Sequence, residues 1–343
     1  MKRFSLTILL LFMFGISFPL ASFAEGNRTI TILYTGSVKG AVDPVIACAC
    51  GGSGGLARRA QMIESIRKAD PSVLLLDCGA VFDDQKDTAE IMLTAMERMG
   101  YDALNLGGPE LNFGKEFLEH ARSSVSFPYL ASNLLYGGSR LPWTREYIIK
   151  EVGGIKAAIL GVLDPDELSQ LPNPKQVKGW EVIPPEVALN RLLPEVRGKA
   201  DLVILLSRFG VEKTIALGKA AKGVDIAISS GSNDVYFVKD PGDTVLLQTV
   251  PLGRLLGLLK ITLDEKRVLG VSENRYAPLE QSVPDNEAVA RLVEKHQKAQ
   301  VAKKEKSQKE LQAKLMEGLQ LSPEEFMESF RKEQTGKRKG ETR

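Results

Sequence analysis

Histidine is scarce in this 343-residue chain, which contains two, His120 and His296. Most zinc centres, and most hydrolase centres that hold two metal ions, use more imidazoles than that. His120 falls in a helical pattern and His296 in a charged C-terminal region, so we expect both to be structural or surface residues. The composition therefore argues against a histidine-rich metal centre.

An excess of charge of either sign is also missing. The chain has 45 Lys and Arg residues against 43 Asp and Glu residues, which leaves a formal charge of +2. Because proteins that bind nucleic acid carry a basic surface, we expect no nucleic-acid partner. Aromatic residues make up only 6% of the chain, but 43% is hydrophobic and the mean hydropathy is −0.08, enough to bury a core.

The first 24 residues are typical of an export signal. Lys2 and Arg3 precede an apolar run over residues 4–20, and Ser22-Phe23-Ala24 forms a small-x-small cleavage site. We therefore expect a mature chain that begins at Glu25 and is periplasmic or secreted in a bacterium. An uncleaved membrane anchor is the alternative, since the apolar run is long enough for one.

Residues 25–283 alternate short β-rich runs with helical patterns. Residues 72–77 form a continuous apolar run, typical of a strand buried on both faces. Residues 147–162 read as a hairpin that turns at Gly153-Gly154. The alternation predicts one α/β domain, built from two sheets flanked by helices.

Residues 284–343 form a charged tail rather than a second domain. Val289, Leu292 and Val293 are spaced to dock its first turns on the body, and Ser322 begins a second, capped helical pattern. The tail is either a solvated charged helix or an arm that contacts a partner or a lipid surface.

Five short segments of the body stand out, in the order 31–36 (TILYTG), 54–58 (GGLAR), 74–79 (LLLDCG), 100–107 (GYDALNLG) and 203–207 (VILLS). Together they resemble the N-terminal metallophosphoesterase domain of the secreted 5′-nucleotidase and UDP-sugar hydrolase family. The resemblance covers about residues 29–280. It implies a calcineurin-like four-layer α/β/β/α sandwich with two divalent metal ions at the C-terminal ends of the strands.

In that family the two ions hold the substrate and generate a hydroxide nucleophile. The resemblance places other residues where the family has its metal ligands and its catalytic histidine: Ser37, Lys39, Ala80, Gly108, Pro109, Arg208, Gly231 and Asn233. Most of these side chains cannot coordinate a divalent ion. We therefore expect no metal cofactor and no catalytic residue.

The expected pocket is formed by Ser37, Lys39, Asp77, Glu110, Arg208 and Asn233. Its cations, Lys39 and Arg208, favour one of two states: metal-free binding of an anion, or a salt bridge from Arg208 to Glu110 or Asp77 that fills the site. The first interpretation of the function is a pseudoenzyme scaffold for a small anionic ligand or an unknown periplasmic protein. The second is a divergent hydrolase of phosphate or sulfur esters, with Asp77, Glu110, Asn233 and Asp234 as unusual ligands.

The cysteines allow a third interpretation. Cys48 and Cys50 lie in a glycine-rich loop, and Cys78 follows the apolar strand. In an oxidising compartment we expect a disulfide from Cys78 to Cys48 or Cys50, with the third thiol accessible. A redox-active Cys-x-Cys pair, or a thiolate site for a soft metal, is the alternative.

Overall fold

The computed structural model describes residues 28–46, 52–230, 244–264 and 267–319. Several predicted features lie outside the described residues: the export signal, Cys48, Cys50, Gly231, Asn233, Asp234 and the capped helix at Ser322.

The larger of two sheets has seven strands in the order β16-β15-β1-β4-β5-β6-β8. Its strands are β1 (Arg28–Thr35), β4 (Val73–Asp77), β5 (Ala103–Asn105), β6 (Tyr129–Leu130), β8 (Thr144–Arg145), β15 (Leu255–Asp264) and β16 (Arg267–Pro278). β1, β4, β5, β6 and β8 run parallel, whereas β15 pairs antiparallel with β1 and β16 pairs antiparallel with β15. The apolar run that predicted a doubly buried strand is β4, and all of its residues are buried.

The smaller sheet has five strands in the order β14-β13-β12-β10-β9. They are β9 (Tyr147–Val152), β10 (Ile155–Val162), β12 (Leu202–Ser207), β13 (Ile226–Ser229) and β14 (Val245–Gln248). β9 and β10 form the predicted hairpin, and both turn glycines, Gly153 and Gly154, adopt a positive φ. Two short ribbons were not predicted: β2 (Val45–Ile46) with β3 (Gly52–Ser53), and β7 (Leu134–Tyr136) with β11 (Trp180–Val182).

Helices cover the outer face of each sheet. The helices are α1 (Leu56–Ala69), α2 (Lys86–Met99), α3 (Gly108–Leu111), α4 (Lys115–Ser123), α5 (Asp166–Ser169), α6 (Pro174–Val177), α7 (Pro185–Arg197), α8 (Val211–Ala220) and α9 (Glu287–Leu319), with a 3₁₀ turn at Pro251–Gly253. One apolar cluster lies between the sheets, a second under α1, α2, α4 and the start of α9, and a third under α7 and α8. This arrangement is the expected α/β/β/α sandwich.

The two sheets end together at one edge. The strand registers align Thr35 with Asp77 in the larger sheet and Val162, Ser207 and Ser229 in the smaller one. Asn105, at the end of β5, joins the sheets because its Nδ2 donates to the carbonyl oxygens of Val162 (3.2 Å) and Leu206 (3.4 Å). The loops that follow these parallel strands therefore meet in one place.

The charged tail begins as the long helix α9. Val289 is buried, and Leu292 and Val293 pack beside it against the core cluster under α1 and α2, as the spacing predicted. Farther along, Leu311 and Leu315 are exposed. The first turns of α9 are therefore docked on the body, whereas its apolar residues at 311 and 315 face solvent.

Candidate functional site at the strand ends

The loops after β1 and β4 follow an unusual backbone path. Ser37, Lys39 and Ala80 all have φ between 50° and 56°, the left-handed region that residues with side chains rarely adopt. Backbone bonds link the loops, from the Ser37 N–H to the Gly79 carbonyl (2.8 Å) and from the Lys39 N–H to the Ala80 carbonyl (2.9 Å). Such conformations concentrate at binding and catalytic sites. All three residues lie at positions where, according to the resemblance, the family has its metal ligands.

The side chain of Arg208 connects several of the loops that meet at this edge. It follows β12, and its side chain is 5% exposed. Its Nη1 donates to the hydroxyls of Ser37 (3.1 Å) and Ser230 (2.8 Å), which are themselves 2.9 Å apart. Along its length the side chain borders two glycines: an added Cβ would lie 3.1 Å from Arg208 Cδ at Gly79 and 2.9 Å from Arg208 Nε at Gly107.

The carboxylate that pairs with Arg208 is Glu167. Arg208 Nη2 lies 2.6 Å from Glu167 Oε1, and the other oxygen of Glu167 accepts a 2.6 Å bond from the Gly108 N–H. An internal salt bridge from Arg208 was one of the two states considered from the sequence; in the structure its partner is Glu167 rather than Glu110 or Asp77. Nothing in the sequence identified Glu167, because the short helix α5 that carries it has no motif and only the fold brings it to the strand ends.

Glu110 is fully buried and serves the backbone. Its Oε1 accepts from the N–H groups of Val81 (2.7 Å) and Phe82 (3.1 Å), and its Oε2 from those of Gly107 (2.8 Å) and Ala80 (3.0 Å). Burial raises the pKa of Glu110 to about 7, although the donors and the nearby Arg208 charge pull it down. Its carboxylate thus fastens the loop after β4 to the loop after β5.

Asp77 belongs to a second buried polar cluster behind Arg208. Its Oδ2 accepts from the Thr35 hydroxyl, which also contacts the Tyr101 hydroxyl at 2.8 Å, and its Oδ1 accepts from the Gly79 N–H. Burial raises the pKa of Asp77, whereas the Arg59 and Arg208 charges lower it. Arg59, on α1, is 1% exposed, and its Nε and Nη2 lack a hydrogen-bond partner among the described residues. Sequence reasoning missed Arg59 because an arginine in a helix is normally a surface residue.

Of the remaining predicted site residues, the structure describes Lys39 and Cys78, and neither side chain bonds to Arg208. Lys39 is exposed at the edge, while Asn233 lies outside the described residues. Cys78 is a free thiol with no exposed surface, and its Sγ donates to the Ile228 carbonyl at 3.5 Å. Leu74, Leu76 and Cys78 all contribute to the apolar cluster between the sheets. The disulfide expected from Cys78 to Cys48 or Cys50 stays a prediction, because both partners lie outside the described residues.

The described residues do not fit a centre of two divalent ions. The oxygens of Asp77 and Glu110 are taken up by hydroxyl and backbone donors, and the fixed charge of Arg208 would repel a cation placed among Ser37, Gly79 and Gly107. Over the described part of the chain, no group of three or more His, Cys, Asp or Glu side chains could hold a metal ion.

Comparison with known proteins agrees with this architecture. The 5′-nucleotidase of Bos taurus is 29% identical over 268 residues, which cover 68% of this chain and 45% of the relative. The chain is therefore similar to 5′-nucleotidases over about two thirds of its length. It spans about half the length of the curated relatives it matches. No protein-family model matches it.

Solved structures share the fold. The 5′-nucleotidase precursor of Thermus thermophilus superposes with a TM-score of 0.71 at 20% identity, over 80% of this chain and 59% of that one. The calcineurin-like phosphoesterase YfkN of Bacillus subtilis gives a TM-score of 0.67 at 21% identity, over 80% of this chain and 98% of that one. The expected resemblance and the calcineurin-like fold are thereby confirmed.

Among the helices that the structure describes, none combines the length and apolar character needed to cross a membrane.

Proposed function

We propose that this 5′-nucleotidase relative is a non-hydrolytic scaffold that binds an anionic ligand or partner at the strand ends. The observation that supports this most directly is the path of Arg208. Its side chain passes Gly79 and Gly107 and ends on Ser37 and Ser230, so a cation lies among the loops where the resemblance implies the family's metal ions. Its guanidinium suits the recognition of a carboxylate or phosphate without a metal.

The divergent-hydrolase alternative is less well supported. It requires Asp77 and Glu110 to turn oxygens toward a metal ion, yet both carboxylates accept bonds from the backbone that fixes the loops. Taking Glu110 away from four N–H groups would leave buried donors unpaired, at about 1–3 kcal/mol each. The thiol-based alternative loses Cys78, because burial raises the pKa of that thiol well above its usual value.

The test is a joint measurement of metal content and turnover. Purified full-length protein is assayed with bis-nitrophenyl phosphate, AMP and UDP-glucose in the presence of manganese, beside an authentic 5′-nucleotidase as a positive control. We expect no bound metal in stoichiometric amount and no turnover. Turnover near 1 s⁻¹, ordinary for enzymes, that a chelator abolishes would overturn the proposal.

An exported location is part of the proposal. Its support is the signal-like pattern of residues 1–24, and the similar Thermus thermophilus protein is described as a precursor. Cell fractionation followed by N-terminal sequencing tests it. We expect a periplasmic or secreted protein that begins at Glu25, and a cytoplasmic protein with an intact N-terminus would contradict this.

A further inference from the structure

The Glu167 carboxylate is held like a bound ligand. Each of its two oxygens has its own donor, Arg208 Nη2 for one and the Gly108 N–H for the other, both at 2.6 Å. The Glu167 side chain is 17% exposed and that of Arg208 is 5% exposed, so these charge-assisted bonds form in a largely dry place.

The donors do not depend on Glu167 for their positions. Arg208 is oriented through its other terminal nitrogen by the hydroxyls of Ser37 and Ser230. Gly108 leaves space for the carboxylate, since an added Cβ there would lie 2.9 Å from Glu167 Oε2. We call Arg208 Nη2 and the Gly108 N–H, with the space between them, the carboxylate cradle. It would persist if Glu167 left.

The segment that carries Glu167 is weakly attached. None of residues 164–171 is buried, and Leu168 and Leu171 only partly cover the core. Its other ion pairs join Lys213 to Asp164 (2.9 Å) and Asp166 (2.8 Å), and the Lys213 side chain is 56% exposed. The pair with Asp166 is exposed at both ends and contributes little, about 0–1 kcal/mol, and the pair with Asp164, which is 13% exposed, is screened on its lysine side. Segments with few buried contacts are those that open locally at low cost.

We infer that residues 164–171 form a displaceable strap, and that Glu167 is an internal occupant of a cradle that binds the carboxylate of an acidic ligand. The inference rests on the proposed function, because it assigns that ligand's chemistry. A ligand carboxylate would take the place of Glu167 on Arg208 and Gly108, and its binding would shift the population toward the open strap. The carboxylate belongs to a small organic acid or to an acidic segment of a protein.

The first experiment empties the cradle. Glu167→Ala is compared with the wild type and with Asp166→Ala, which removes a neighbouring carboxylate of the strap that does not reach the cradle. Acetate binding is measured by thermal shift and ligand-detected NMR, with sodium chloride at matched ionic strength. We expect acetate to bind Glu167→Ala at least about tenfold more tightly than the other two proteins. Equal binding by all three, or binding of phosphate in preference to acetate, would overturn the inference.

Glu167→Gln provides a second variant in case the alanine variant does not fold. It keeps the volume but removes the charge, so we expect tighter acetate binding than in the wild type. Unchanged binding would count against the cradle.

The second experiment tests displacement in the wild type. Succinate and an oligoglutamate peptide are added separately, and amide hydrogen exchange is followed over residues 164–171. Faster exchange with either one supports the strap, and the effective one distinguishes a free acid from an acidic protein segment. No binding of either overturns it. The hydrolysis assay is independent, so failure of the cradle leaves the absence of turnover to be judged separately.

Discussion

The Thr35 hydroxyl donates a 2.6 Å hydrogen bond to Asp77 Oδ2, which joins the ends of two parallel strands, β1 and β4, through their side chains. Both residues are buried, and the Thr35 hydroxyl also meets the Tyr101 hydroxyl. A buried carboxylate beside Arg59 and Arg208 offsets two buried positive charges, so this bond is part of the charge balance beneath the site.

Replacement of Asp77 should therefore destabilise the fold strongly. Asp77→Ala removes the acceptor for Thr35 and Gly79, and it removes a buried negative charge from beside Arg59 and Arg208. We expect a loss of about 3 kcal/mol in the free energy of unfolding, measured by urea denaturation. Asp84→Ala, at an exposed position, is the matched control and should change stability by less than about 0.5 kcal/mol. A loss below about 1 kcal/mol at Asp77 would show that the charge balance is unimportant.

Glu110 should make stability fall as the pH rises toward neutrality. Its pKa is raised to about 7 in the folded protein, above the usual value of 4.5, so the folded state binds the proton more tightly than the unfolded state. The stabilisation is complete below about pH 4.5 and is lost as the pH rises through about 7. We expect this carboxyl to contribute roughly 3 kcal/mol over that window.

Unfolding of the wild type and of Glu110→Gln at several pH values measures this contribution. The variant should be less stable overall, because its amide nitrogen faces backbone N–H donors, but its stability should change less between pH 4.5 and 7. An identical pH slope in both proteins would mean that the four donors outweigh burial.

Cys78 should be unreactive in the folded protein. Its thiol is fully buried and burial raises its pKa, so little thiolate is available. In a Cys48→Ala/Cys50→Ala background, a maleimide should label Cys78 only after unfolding. Rapid labelling of the native protein would contradict this, as would a wild-type peptide map with Cys78 in a disulfide.

The two halves of α9 should contribute differently to the stability of the protein. Removal of residues 299–343 spares Val289, Leu292 and Val293 and costs the exposed pair between Lys303 and Asp87. We expect the Tm to fall by less than about 4 °C, whereas removal of residues 284–343 should lower it by about 8 °C or more because core contacts are lost. Circular dichroism measures the Tm of each truncated protein. Equal shifts of the Tm for the two truncations would refute the division.

The sequence predicted those parts of the fold that follow from local pattern. The apolar run of β4 and the glycine pair between β9 and β10 required only alternation and turn chemistry, and both were confirmed. The short ribbon of β7 and β11 was missed, because its strands are three residues each and pair across more than forty positions.

The candidate site was predicted only in part, for a physical reason. Arg208 was placed by the resemblance, but its partners Glu167 and Ser230 lie 41 and 22 positions away in sequence. A pairing over such a separation depends on where the loops cross the sheet edge, which no local pattern specifies. The burial of Cys78 between the sheets follows from its alternation with Leu74 and Leu76, whereas its predicted disulfide is untested because Cys48 and Cys50 lie outside the described residues.

The left-handed conformations of Ser37, Lys39 and Ala80 fix the backbone path of this edge without depending on which side chains it carries. Such a conformation costs of order 1–3 kcal/mol in a residue with a side chain, yet the loops are linked by backbone groups, from Ser37 to Gly79 and from Lys39 to Ala80. Those links are the same whichever side chains the residues carry. At this edge, a metal-ligating side chain, a guanidinium or a small hydroxyl can therefore be replaced by one of the others without a change in the path of the main chain.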